Sequence, residues 1–280
     1  MLRRPVYHPL PITLGLFALI ALAASSGRAD ANNQNRLVLR TIAQEGSAPK
    51  YISGGAHAGG HCPDILKAIE KVEPTLRFSI DPTPTPIRRI EHEMEAGRID
   101  VICALLDTPT RNRIAHRVST PIYHVRERLV GRRDAPLQIR SLEDLARPDV
   151  VVVTQSGASY AGELRAAGIQ VSESTGGSPT ALRQVLRGRA DYYYINELTG
   201  AYYLRAEGLN DRLQILPPVL QETPSYLWVN RNSAPDVIAR LESAIERLHR
   251  SGELDRIYRQ YQRQKKADDK IADQRSSSRE

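Results

Sequence analysis

The chain has only two cysteines, Cys62 and Cys103, too few for a disulfide-rich scaffold or an all-cysteine zinc site. It also lacks the short signatures of common nucleotide and hydrolytic sites: there is no GxGxxG, no GxxxxGK phosphate loop, no GxSxG and no HExxH. The longest mostly apolar run, residues 14–24, is about 11 residues, against the roughly 20 that a membrane-crossing helix needs. Runs of basic residues are missing as well, although 39 Lys+Arg against 32 Asp+Glu give a net charge of +7. Residues 1–31 carry +2 of that, and the stretch 262–280, with six basic and four acidic residues, carries another +2. The remaining +3 is spread over a body whose only basic clusters are pairs such as Arg88-Arg89 and Arg132-Arg133. A phosphate-tracking surface wants clustered Lys/Arg, often with stacking aromatics, so no nucleic-acid partner is expected.

What is present is ordinary for a folded α/β protein. The 280 residues are 41% hydrophobic and 25% charged, enough for one large domain or two smaller ones. Arg3 and Arg4, the short apolar run and Ala29-Asp30-Ala31 have the layout of a secretory signal (1–31) cleaved near Ala31. The mature protein is then expected in an oxidising compartment, the periplasm, where disulfides are allowed. At the other end, residues 263–280 are polar, charged and Ser-rich, and are expected to be a disordered tail.

Between these ends the pattern is β-α-β-α-β, twice. Residues 36–43 alternate as a strand, and a Gly-rich loop leads to a helix over 63–72, with Pro63 suited to its first turn. A strand at 76–80 is expected to end in a loop punctuated by Pro82, Pro84 and Pro86. A helix from Ile87 to Met94, closed by Gly97, precedes the nearly continuous apolar strand 99–106. The second half offers strands at 150–153, 170–173 and 190–195, with helices ending at Leu164 and Leu186 and one over 198–204. A strand at 227–229 and two helices split at Ser251-Gly252 complete the chain. Within 192–194, alternation puts Tyr193 opposite its tyrosine neighbours.

Several segments carry a resemblance. Residues 60–69 (GHCPDILKAI), 97–102 (GRIDVI), 108–111 (TPTR) with 119–123 (STPIY), 156–159 (SGAS), 188–191 (GRAD) and 252–258 (GELDRIY) occur in the order found in one family. The chain resembles the family 3 extracellular solute-binding proteins of ABC importers, the polar amino-acid-binding type, over about residues 36–262. The resemblance implies an α/β, two-lobed, periplasmic-binding-protein-like fold of type II, each lobe a mostly parallel sheet flanked by helices. The implied lobes are 36–125 plus 226–262 and 126–225, with crossovers near 125–129 and 222–227, and ligand closes them by a hinge. No cofactor is expected. The implied partners are a small amino acid or organic anion and the membrane permease of an importer, the protein itself being a monomer.

In the resembled family the arginine of the TPTR motif grips the ligand carboxylate, and that position here is Arg111. A guanidinium offers a planar fork of donors and stays charged at any relevant pH. Thr108, which opens the motif, is a further candidate contact. Ser159 matches a family hydroxyl at a helix start, and Gly157 and Ala158 allow close backbone approach; an ordinary N-cap serine would look the same. Where the family places an aspartate for the ligand's ammonium, this chain has Asn196, which supplies no charge. A buried ammonium without a carboxylate partner is costly, so Asn196 argues against a standard α-amino acid unless Glu197 substitutes. Tyr51 is a candidate stacking platform and Glu45 a candidate partner for a ligand cation. His57, His61 and Cys62 lie close together in the sequence, but three potential ligands in a Gly-rich loop make a poor metal site, and none is expected. Cys62 and Cys103 both approach one edge of the first sheet, either as a disulfide or as two buried thiols. Two other functions share this fold: a sensor or accessory binding subunit, and a dehydratase-like enzyme. The enzyme would need a placed general acid or base, for which Glu45 is the only suggestive residue.

Overall fold

The computed structural model describes residues 36–52, 59–134, 139–158 and 160–262. The expected signal peptide, the tail 263–280, His57 and Ser159 lie outside the described residues. In chain order the elements are β1 (Leu37–Gln44), α1 (His61–Val72), β2 (Leu76–Thr85), α2 (Ile87–Glu95), β3 (Val101–Leu106), α3 (Pro109–Ile114) and β4 (Ala115–Arg117). After β5 (Tyr123–Arg132) and a 3₁₀ turn at Glu143–Leu145 come β6 (Val151–Gln155), α4 (Tyr160–Ala166), β7 (Gln170–Ser174), α5 (Gly177–Leu186) and β8 (Tyr192–Asn196). They are followed by α6 (Glu197–Ala206), β9 (Leu213–Ile215), β10 (Gln221–Asn230), α7 (Pro235–Arg250) and a last helix, α8, over 253–262.

One sheet runs in the order β3-β10-β5-β8-β6-β7, with β4 on β10 and β9 on β5; β1 and β2 pair separately. β6 is parallel to both β7 and β8. β5 and β10 are antiparallel to their neighbours and to each other, pairing Tyr123–Glu127 against Gln221–Ser225. Apolar clusters divide along the chain at these two strands. Two are built from residues 39–125 and 226–261, joined only by Leu198 from elsewhere; the other two come from residues 129–220.

Local chemistry explains most elements. α1 buries Ile65, Leu66, Ala68 and Ile69 on one face. α7 buries Val237, Leu241, Ala244, Ile245 and Leu248 at helical spacing. Burying one such Leu or Ile side chain fully stabilises by about 1.5–3 kcal/mol. Tyr193 packs in one cluster of the second half and Tyr192 and Tyr194 in the other, as strand alternation requires. Cys62, at the start of α1, and Cys103, in β3, are joined by a disulfide.

Two strands run further than the sequence pattern suggests. β2 continues through Pro82 and Pro84 to Thr85, where a loop was expected. The Glu45 N–H donates to the Thr85 carbonyl, so the odd-numbered residues face β1. Pro82 and Pro84 therefore fall on the outer edge, where a missing N–H breaks no ladder bond. β10 begins at Gln221, because its polar start (QETPS) pairs with β5 before the strand enters the core.

Candidate functional site

A cavity of about 110 Å³ lies where the loop after β1, the end of β3 and the start of α3 meet the loop after β6 and the end of β8. Its walls come from both sets of apolar clusters. None of the described residues that line it carries a carboxylate.

Arg111 enters from α3. Thr108 caps this helix, its Oγ1 accepting from the Arg111 N–H at 3.3 Å. The side chain is only 6% exposed. Its Nε donates to Glu91 Oε1 at 2.8 Å, and one terminal nitrogen donates to the Leu106 carbonyl at 2.7 Å. The guanidinium that lines the cavity therefore already has a counter-ion, contributed by α2.

Asn196 enters from the opposite wall. It caps α6, its Oδ1 accepting from the N–H groups of Leu198 at 2.8 Å and Thr199 at 3.4 Å. A side chain so engaged leaves its amide N–H₂ as the group to offer. Gly157 has φ of +80°, and a Cβ there would come within 3.3 Å of Ile87, so the loop after β6 approaches the first half closely. Ala158 lines the cavity beside it.

The structure thus brings Arg111, Asn196 and Ala158 together. It does not bring Tyr51, Glu45 or Thr108 to the cavity wall. Tyr51 is buried in the apolar cluster around α1 rather than offered as a platform. Glu45 is exposed on the turn after β1, with no lining role. Thr108 is occupied as a helix cap. Glu197, the possible substitute for the missing aspartate, is paired with Arg128 at 2.8 Å. No group of three or more metal-ligating side chains occurs among the described residues.

Lys50 and His61 also line the cavity, and neither was foreseen as a ligand contact. Lys50 is 7% exposed, and its Nζ donates to Gln44 Oε1 at 2.7 Å and to the Ala104 carbonyl at 2.8 Å. Burial, and then the nearby Arg111 charge, lower its pKa well below the usual lysine value. His61 lies beside it at the start of α1, its Nδ1 buried without a hydrogen-bond partner among the described residues. Burial, followed by Lys50, lowers this imidazole to about 3, so it is neutral at physiological pH. Composition held a faint signal for Lys50: the chain has 33 arginines and only six lysines, so a lysine in the first loop is an exception.

The backbone around Lys50 is specially shaped. Between the pairs Tyr226↔Leu105 and Trp228↔Ile102, two residues of β3 oppose one of β10, a β-bulge. Ala104, in the bulge, has φ of +54°, a left-handed conformation that is uncommon for a residue with a Cβ. Its carbonyl is the one that Lys50 holds. Gly60, with φ of +116°, supports the loop from the other side: a Cβ would stand 2.5 Å from the Lys50 carbonyl oxygen.

Two α/β halves joined by paired strands, with a cavity of mixed polar and apolar lining walled by both, define a protein of the periplasmic-binding-protein class. The chain belongs to the bacterial extracellular solute-binding proteins, family 3, whose model matches residues 41–264. No curated protein sequence matches it. Solved structures show the same fold at low identity. One is an ancestral amino acid-binding protein described as a precursor of cyclohexadienyl dehydratase (TM-score 0.67, 19% identity, 83% of this chain and 97% of that one). Another is an ancestral arginine-binding protein bound to arginine (0.67, 21%, 81% and 99%). A third is a histidine kinase sensor domain similar to periplasmic binding proteins (0.66, 21%, 81% and 97%). The family implies a periplasmic or secreted location. No helix among the described residues is long and apolar enough to cross a membrane.

Proposed function

We propose that this protein captures a small carboxylate-bearing solute in the cavity and delivers it to the membrane permease of an ABC importer. In this reading, residues 36–125 plus 226–262 form one lobe, residues 126–225 the other, and β5 and β10 are the hinge. The observation that carries it is the cavity's charge: Arg111 and Lys50 line it, and no described carboxylate does. The donors present there suit an anion, and none of the described acidic residues lines the cavity to meet a ligand ammonium.

A binding role also fits the compared proteins, which are mostly binding proteins. The dehydratase alternative loses support from its one candidate group, since Glu45 is exposed and does not line the cavity. A sensor role keeps a foothold in the histidine kinase sensor domain of the same fold. It requires the same capture of solute and differs only in what reads the closed state.

A thermal-shift screen over amino acids, dicarboxylates, monocarboxylates and amines tests the reading. A ligand at about 100 times its Kd adds about 2.7 kcal/mol of stability, which is easily read. Carboxylates are expected to score and simple amines to fail. Arg111→Ala should weaken the best ligand by at least about tenfold, while unchanged affinity would remove this cavity as the site.

A further inference from the structure

We propose that Lys50, rather than Arg111 alone, anchors the solute's anionic group, and that the solute class is an organic monoanion without an ammonium group. This rests on the reading that a carboxylate solute enters this cavity, and it names the charge that selects the solute.

The charges around the cavity lead there. Arg111 lines it, but Glu91 already neutralises the guanidinium at 2.8 Å. Lys50 is as deeply buried, and both of its hydrogen-bond partners are neutral oxygens, from Gln44 and Ala104. An ammonium has three donors, and these two acceptors account for two of them. The groups around it supply no negative charge. Arg111 faces it from α3, with Glu91 committed behind that arginine; His61 faces it from α1, and Tyr123 lines the same cavity from β5 and Tyr160 from α4. Once Lys50 is protonated, the cavity holds one positive charge more than its described lining residues offset. One ligand carboxylate completes the balance, whereas a ligand ammonium would add a second uncompensated charge in a buried place.

A linkage follows from the same arrangement. Without an anion, burial and Arg111 favour the neutral amine of Lys50. A bound carboxylate favours the ammonium, so binding draws up to one proton from solvent onto Nζ. The proton raises no other group, because His61 is held neutral by burial. Affinity for the anion then falls as pH rises.

The full chain can be titrated calorimetrically with matched 2-hydroxy and 2-amino acids: lactate and alanine, 2-hydroxyisocaproate and leucine, 3-phenyllactate and phenylalanine. Each titration is run in two buffers of different ionisation enthalpy, at about pH 6 and about pH 8. For at least one pair, the hydroxy acid should bind at least about tenfold tighter than its amino partner, with proton uptake at the higher pH. Lys50→Met should lose at least about tenfold in affinity together with the buffer dependence. Lys50→Arg should keep binding but take up no proton, because a guanidinium is always charged. This second variant guards against a Met variant that merely folds poorly, as does the fluorescence of the single tryptophan, Trp228, buried in β10. Unchanged affinity and proton uptake in Lys50→Met would overturn the role of Lys50 and leave the cavity as a binding site. Amino acids binding as tightly as hydroxy acids would overturn the solute class. If no acid of either kind binds the wild type, both this inference and the function it rests on fall.

Discussion

Ala104 shows how one residue can shape a site. Its left-handed φ turns the β3 carbonyl toward Lys50, a conformation that costs about 1–2 kcal/mol for an L-residue. Strain of this kind persists where its surroundings hold it, and here the neighbours are a disulfide cysteine, a bulge and a buried lysine. A different buried charge, Glu127 of β5, lies fully covered, with neither carboxylate oxygen hydrogen-bonded among the described residues. Burial, aided by the Glu163 and Glu222 charges, pushes its carboxyl up to about 8 from an ordinary value near 4.5. Between those values the folded state holds a proton that the unfolded state has lost. The contribution is therefore full below about pH 4.5 and is lost as pH rises through about 8. Glu127→Gln fixes the neutral form, so its melting temperature should match the wild type near pH 5 and exceed it by at least about 2 °C near pH 9. A constant difference across that range would show that the carboxyl is ionised throughout. Little of this was legible in the sequence. Arg111 could be placed by its motif and Asn196 by its spacing from Asp191, because each sits at the end of a regular element. Lys50 and Glu127 could not, since their meaning lies in which neighbours surround them, and those come from distant parts of the chain.

Among the elements, α1 and β3 are joined covalently. The disulfide between them closes a segment separated by 41 residues in sequence. Loop-closure entropy for such a segment is worth about 4 kcal/mol in the chain-entropy model. Reduction, or the double substitution Cys62→Ser with Cys103→Ser, should lower the melting temperature markedly. It should also weaken solute affinity, because His61 and Ala104 flank the two cysteines and line the cavity. Thermal melts with and without reductant, read alongside titrations, check both effects; unchanged affinity would show that the bridge matters only for stability. Helices with a clear apolar face, such as α1 and α7, were legible to within a few residues. The short strands β4 and β9 were not, because three residues carry no periodicity and their pairing on β10 and β5 is set by tertiary contact. β2 was cut short by reading Pro82 and Pro84 as breakers, which they are only in the middle of a sheet.

Across the molecule, the proposed hinge predicts a measurable change in size. Small-angle scattering should give a smaller radius of gyration with saturating solute than without it, and superimposable curves would argue against closure about β5 and β10. The loop after β1 already touches the second half: Ser178 Oγ donates to the Gly46 carbonyl at 3.4 Å, and a Cβ on Gly46 would meet Gln155 at 2.8 Å. Gly46 is itself part of the cavity lining, so Gly46→Val should wedge against Gln155, crowd the cavity and lower affinity. The same economy of backbone shows at the far edge of the β1–β2 pair. On the exposed rim of β2, Pro82 and Pro84 offer no N–H, so an added strand would find only carbonyl acceptors at those two positions and a weakened ladder.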